Sequence, residues 1–123
     1  MLETADRLER DALAGCVAHP SLVEGLARLA PEVFDDAAHR ALRNHLVDDS
    51  VSAENVTGLL AELDARASRE AIDERTTQQL LLQLEARALR RELAEAAGAE
   101  PPARAAELRA ELTRVQDEIR ELG

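Results

Sequence analysis

IDERTTQQLLLQLEARALRRELAEAA, residues 72–97, is followed by Gly98-Ala99-Glu100-Pro101-Pro102 and then by ARAAELRAELTRVQDEIREL, residues 103–122. Neither flanking stretch contains a Gly or a Pro. A Gly just past one helix end and a Pro at the start of the next punctuate a helix–turn–helix. The spacing therefore predicts two long helices that turn near Gly98–Pro102. In the second, Leu108, Leu112, Val115, Ile119 and Leu122 recur at spacings of 4, 3, 4 and 3, which lines one helix face with apolar groups. The first carries two apolar stripes, one through Leu82, Ala86, Leu89 and Leu93, the other through Leu80, Leu81, Leu84 and Ala88. A helix apolar on two sides is buried between two neighbours. Its first half is expected to complete a bundle and its second half to pair with the last helix. At 1.5 Å per residue, residues 72–97 span roughly 39 Å, more than a bundle of this size needs, so the hairpin is expected to project.

Upstream, a first helix is expected over Thr4–Ala18, with Leu8, Ala12 and Cys16 on one stripe, ending at His19-Pro20. Ser21-Leu22-Val23-Glu24 has the form of a capping box. Leu22, Leu26 and Leu29 follow, Pro31 interrupts, and Val33-Phe34 reads as a short turn plugging the core. Asp35-Asp36 offers a cap and negative charge at the start of a helix bearing Ala38, Leu42 and Leu46. That helix ends at Asp48-Asp49-Ser50. Ser52 opens another with Val56, Leu59, Leu60 and Leu63, and Ser68 is expected to cap the long helix, with Glu70, Asp73 and Glu74 in its first turns. No stretch shows the β-branched alternation of a strand. The fold class is all-α: a helical bundle over residues 1–70, then a long helix and a C-terminal helical hairpin over residues 71–123, forming one continuous domain.

The composition supports this and narrows the function. Apolar residues make up 46% of 123. They are mostly Ala and Leu, with Phe34 the only aromatic, which suits close-packed helices better than a sheet. The net charge is −10. Residues 1–70 hold 14 acids and 7 Arg, and residues 71–123 hold 11 acids and 8 Arg. Neither half offers the basic face that displaces counterions from phosphate, beyond a local cluster at Arg87, Arg90 and Arg91. With no Lys and no aromatic platform, single-strand binding is not expected either. One cysteine, Cys16, excludes an internal disulfide and a cysteine-based zinc site. No apolar run is long enough for a bilayer and the acidic N-terminus lacks the form of a signal peptide, so a cytoplasmic protein is expected.

Little points to chemistry. His39 and His45 lie six apart, on different helix faces, and His19 precedes a Pro; all three read as turn or surface histidines with no metal-binding spacing. Asp35-Asp36 and Asp48-Asp49 read as caps and solubilising charge. Cys16 lies on an apolar stripe without an activating base. No Gly-rich phosphate loop is present. No catalytic, metal or cofactor site is expected.

The stretch from Leu8 through Val23, LERDALAGCVAHPSLV, resembles the opening helix and helix–proline junction of the helicase-binding domain at the C-terminus of bacterial DNA primase. Leu29-Ala-Pro-Glu-Val-Phe34 and Ala38-His-Arg-Ala-Leu42 are similar to that family's next elements. Residues 79–93 and 106–112 are similar to its long helix and terminal hairpin. The likeness covers nearly the whole chain, and the order of the motifs carries it. The N-terminal domain of the replicative helicase shares the early half of the pattern, but it would continue into a linker and an ATPase, whereas this chain ends after a hairpin.

The resemblance implies a domain whose hairpin grips the N-terminal domains of the replicative helicase and so couples primer synthesis to the fork. It implies no polymerisation by this chain, although the parent protein would be a DNA-directed RNA polymerase. The expected contact residues are Arg90, Arg91, Glu111, Arg114 and Glu118 on the outer face, with Ile119 and Leu122 at the free end. No cofactor, nucleic acid or membrane is expected as partner, and the chain is expected to be monomeric alone. The alternatives are a module like the N-terminal domain of the replicative helicase, an acidic decoy of a basic surface, suggested only by the net charge, and an oligomerisation module whose seam pairs between chains; at little more than two heptads, the seam favours an intramolecular hairpin.

Overall fold

A computed structural model describes residues 4–48, 56–96 and 103–122. Among these the protein is all-α, without strands. Six α-helices follow in order: α1 (Thr4–Ala18), α2 (Val23–Ala27), α3 (Ala37–Val47), α4 (Thr57–Arg69), α5 (Glu74–Ala96) and α6 (Ala103–Leu122). Short 3-10 turns, Pro20–Leu22 and Pro31–Val33, flank α2. The turn expected at Gly98–Pro102, the helix opening at Ser52 and the pair Asp49-Ser50 lie outside the described residues. The chain divides into two compact units, Met1–Leu81 and Leu82–Gly123. The boundary falls inside α5, whereas the sequence placed it at residues 70/71. The first two turns of α5 belong to the bundle because Thr77 and Leu81 pack into it. A Cβ built on Gly15 would lie 2.7 Å from Thr77 Cγ2, and one on Gly25 would lie 3.3 Å from Leu81 Cδ1.

In the first unit α1 is the central helix, packed against α4 and α3. Ala12, Leu13, Ala14 and Cys16 are buried along it, and Gly15 lets Thr77 approach its backbone. Leu26, Phe34, Leu42, Val56 and Leu63 complete the core. Each such large side chain contributes about 1.5–3 kcal/mol on full burial. Ion pairs fix the edges of α1 to α4: Arg10 to Glu62 at 2.8 Å and Arg66 to Asp11 at 2.6 Å. Arg43 covers one carbonyl at the end of α2 and one just beyond it, its Nη2 donating to Ala27 O at 3.3 Å and to Leu29 O at 2.8 Å.

Several local expectations are corrected. Ser21 caps nothing: Pro20 occupies the first position of a 3-10 turn, where its fixed φ fits, and the chain is already wound at Ser21. Ala38 is exposed, and the inward positions of α3 are His39 and Leu42. Ser68 lies inside α4 and not at the start of the long helix. There α4 closes in a Schellman motif: Ile72 N–H donates to Ala67 O at 3.1 Å and Ala71 N–H to Ser68 O at 3.4 Å. Ala71 adopts φ 52°, the left-handed conformation this motif demands and that Gly usually supplies. Capping of α5 falls to Asp73, whose Oδ1 accepts from Thr76 N–H at 2.7 Å.

The second unit is built from the rest of α5 and from α6. Ala86, Leu89, Leu108 and Val115 form its buried core, with Leu82, Leu93, Ala96, Leu112 and Ile119 packed around them. Leu108, Leu112, Val115 and Ile119 of the seam expected from sequence thus pack within the hairpin. Ion pairs from Arg104 to Glu92 (3.0 Å) and from Arg114 to Glu85 (3.5 Å) run between the helices and show them to be antiparallel.

Candidate functional site

Two of the three buried polar side chains among the described residues, Glu9 and His39, form one cluster in the first unit, while the third, Thr77, donates to Asp73 O at 2.8 Å. Glu9, on α1, is fully buried and His39, on α3, is 1% exposed. His39 Nδ1 lies 2.8 Å from Glu9 Oε1. Glu9 also accepts from the backbone N–H of Asp35 (Oε2, 3.0 Å) and of Asp36 (Oε1, 3.4 Å). With both carboxylate oxygens accepting, the ring nitrogen is the donor, so the imidazole carries a proton on Nδ1. Asp36 in turn caps α3 by accepting from Ala38 N–H (2.8 Å) and His39 N–H (3.2 Å). Burial pushes the Asp36 carboxyl up, but hydrogen bonds from His39 and Ala38 and the charges of His39 and Arg10 outweigh it, and the net value is lowered.

This cluster ties the N-terminus of α3 to the middle of α1. Its carboxylate is occupied by donors belonging to the fold itself, which makes it a structural clamp and not a proton-transfer pair. His39 is therefore not the turn or surface histidine expected from sequence. The signal that could have found it is its place on α3: positions 39 and 42 share the face that Leu42 turns inward. Glu9 gave no such signal, because a single acid on an amphipathic helix ordinarily faces water.

The other candidates are also structural. His19 Nε2 donates to Ile72 O at 2.8 Å, linking the end of α1 to the α4–α5 junction. Cys16 is buried, and desolvation pushes its thiol up to about 12, far from a reactive thiolate. No group of His, Cys, Asp and Glu able to hold a metal ion occurs among the described residues. No helix of the described residues is long and apolar enough to cross a membrane.

The hairpin surface is where the sequence placed a partner contact. Side chains advance by about 100° per residue, and the pairs Arg104–Glu92 and Arg114–Glu85 identify which flanks of α5 and α6 adjoin. One face of the hairpin then carries Glu85, Glu92, Glu107, Glu111 and Glu118 with Arg104 and Arg114. Arg114 also bonds Glu118 at 2.6 Å, and Arg104 reaches Glu107 at 3.5 Å. The opposite face carries Arg90 and Gln83 from α5 and Arg109, Gln116 and Arg120 from α6, all exposed. The sequence-selected residues therefore do not form one surface. Glu111, Arg114 and Glu118 share the acidic face, Arg90 lies on the other, and Arg91 sits exposed at the outer edge of α5. Ile119 is half-buried and packs on the hairpin core, and Leu122 is half-buried. Arg109 was missed, because its partnership with Arg90 depends on which helix flanks adjoin.

No protein-family model, curated protein or solved structure matches the chain.

Proposed function

We propose that this protein is a cytoplasmic docking module that binds another protein through its helical hairpin, and that the partner is the N-terminal domain of a bacterial replicative helicase. In this reading it belongs with the helicase-binding domain of DNA primase, couples primer synthesis to the fork, and neither polymerises nor binds nucleic acid itself. The supporting observation is that the hairpin is a compact unit with its own buried core, Ala86, Leu89, Leu108 and Val115. A pair of helices that fills its own seam leaves its exposed charged residues to meet a partner. The same observation disfavours the oligomerisation reading, since Leu108 and Val115 are already covered within one chain.

The test is titration of the full-length chain into the N-terminal domain of a bacterial replicative helicase, followed by calorimetry and by co-elution on a sizing column. Saturable binding at micromolar or tighter affinity, about −8 kcal/mol or better, is expected. Absence of binding at millimolar concentration refutes the helicase as partner. Elution of the chain alone as a dimer or larger species revives the oligomerisation module.

A further inference from the structure

The charges of the hairpin are unevenly divided between its two flanks. In a chain of net charge −10, the flank bearing Arg90, Arg109 and Arg120 carries a single carboxylate among the described residues. Asp117, at its rim, is held by Arg120. Arg90 and Arg109 have no carboxylate partner among the described residues, whereas Arg104 and Arg114 on the opposite face each have two. The antiparallel register shown by Arg104–Glu92 and Arg114–Glu85 puts residues 90 and 109 at the same level, on adjoining flanks of α5 and α6. Two cations on one exposed face repel, and an anion that binds that face relieves the repulsion.

We propose that this arginine face, centred on Arg90 and Arg109, is the surface by which the hairpin docks, and that its occupant is an acidic α-helical surface of the partner protein. The proposal rests on the reading of the hairpin as the docking unit. Guanidinium forks take carboxylates in bidentate fashion, and the Gln83 and Gln116 amides beside them add neutral donors. Ala94 and Ala106, both exposed on the same side, leave room for a third helix to lie along the groove between α5 and α6. A nucleic acid would offer phosphates to the same arginines, but residues 1–70 carry 14 acids against 7 Arg and repel a polyanion. A short acidic helix avoids most of that repulsion.

Two variants of the full chain separate the faces: Arg90→Glu/Arg109→Glu, and Glu107→Arg/Glu111→Arg on the opposite side. All four side chains are exposed, so both variants are expected to fold. The first arm uses a synthetic helical Glu/Ala peptide, with the Gln/Ala peptide as control, and follows the side-chain Nε–H resonances of Arg90 and Arg109. Both resonances should shift with the Glu peptide alone, and the arginine variant should lose at least tenfold in affinity while the glutamate variant loses nothing. The second arm repeats the comparison with the N-terminal domain of the helicase and expects the same order. If the peptide moves neither arginine, or the glutamate variant loses as much as the arginine variant, the proposal is overturned. A response to single-stranded DNA as strong as to the peptide overturns it in favour of phosphate binding, and self-association abolished by either variant overturns it in favour of a second copy. If the peptide binds as expected and the helicase domain does not, the arginine face stands and the choice of helicase falls.

Discussion

Replacing Glu9 by Ala tests whether the buried clamp holds the first unit together. The side chain is fully buried, and its loss strands three donors: His39 Nδ1 and the N–H groups of Asp35 and Asp36. Asp35 and Asp36 are themselves exposed residues, so water recovers part of their loss. The His39 ring, 1% exposed, has no such recourse. Leaving a buried hydrogen-bonding group without its partner costs about 1–3 kcal/mol, a sizeable part of the roughly 5–15 kcal/mol that stabilises an ordinary domain. For a unit of this size that is a fall in Tm of roughly 4–24 °C. The assay is thermal and urea unfolding by circular dichroism, with Cys16 labelling as a unit-specific readout. That thiol, buried and pushed up to about 12, is expected to react only when the bundle opens, so its labelling should accelerate in step. Glu9→Gln keeps one acceptor and should cost less. The double replacement Glu9→Leu/His39→Leu should cost less than the sum of the two single Leu replacements, because neither polar group is then left alone. A loss below about 1 kcal/mol for Glu9→Ala, or unchanged Cys16 labelling, would refute the clamp.

Three further outcomes follow from the packing. Ala71→Gly should stabilise the protein by about 0.5–1 kcal/mol, since it removes the left-handed strain of about 1–2 kcal/mol at φ 52° and returns part of it as chain entropy; a lower urea midpoint would contradict the Schellman assignment. Leu108→Ala should cost the hairpin about 2–5 kcal/mol, and NMR should show its amides broadening while those of α1–α4 hold their positions. Asp36 has a lowered carboxyl value. Its contribution is therefore complete above the ordinary carboxylate range and is lost as pH falls through that range toward the folded value. Asp36→Asn keeps the cap but not the titration, so its urea midpoint should fall less than that of the wild type between about pH 4 and pH 2, whereas Asp36→Ala should lose about 1 kcal/mol at neutral pH.

Much of the fold is written in local sequence. The bounds of α1, the Asp36 cap, the burial of Phe34 and the Leu108–Val115 seam follow from periodicity and punctuation, which act over a few residues and need no knowledge of neighbours. Tertiary structure decided the rest. Ser68 looked like a cap, but the chain ends α4 beyond it because Ile72 buries itself at that corner and Ala71 accepts the strain. The unit boundary lies at Leu81 and not at residue 70, because Gly15 admits Thr77 against α1, a contact between positions 62 residues apart. Glu9 and His39 each had an ordinary surface reading, and only the meeting of α1 with α3 turned them into a buried pair. The same holds for the hairpin surface. The sequence supplied the charges, but the antiparallel pairing of α5 with α6 sorted them, placing five glutamates on one flank and Arg90 with Arg109 on the other. Periodicity fixes which face of a helix is apolar; which polar flanks become neighbours is settled only when two helices meet.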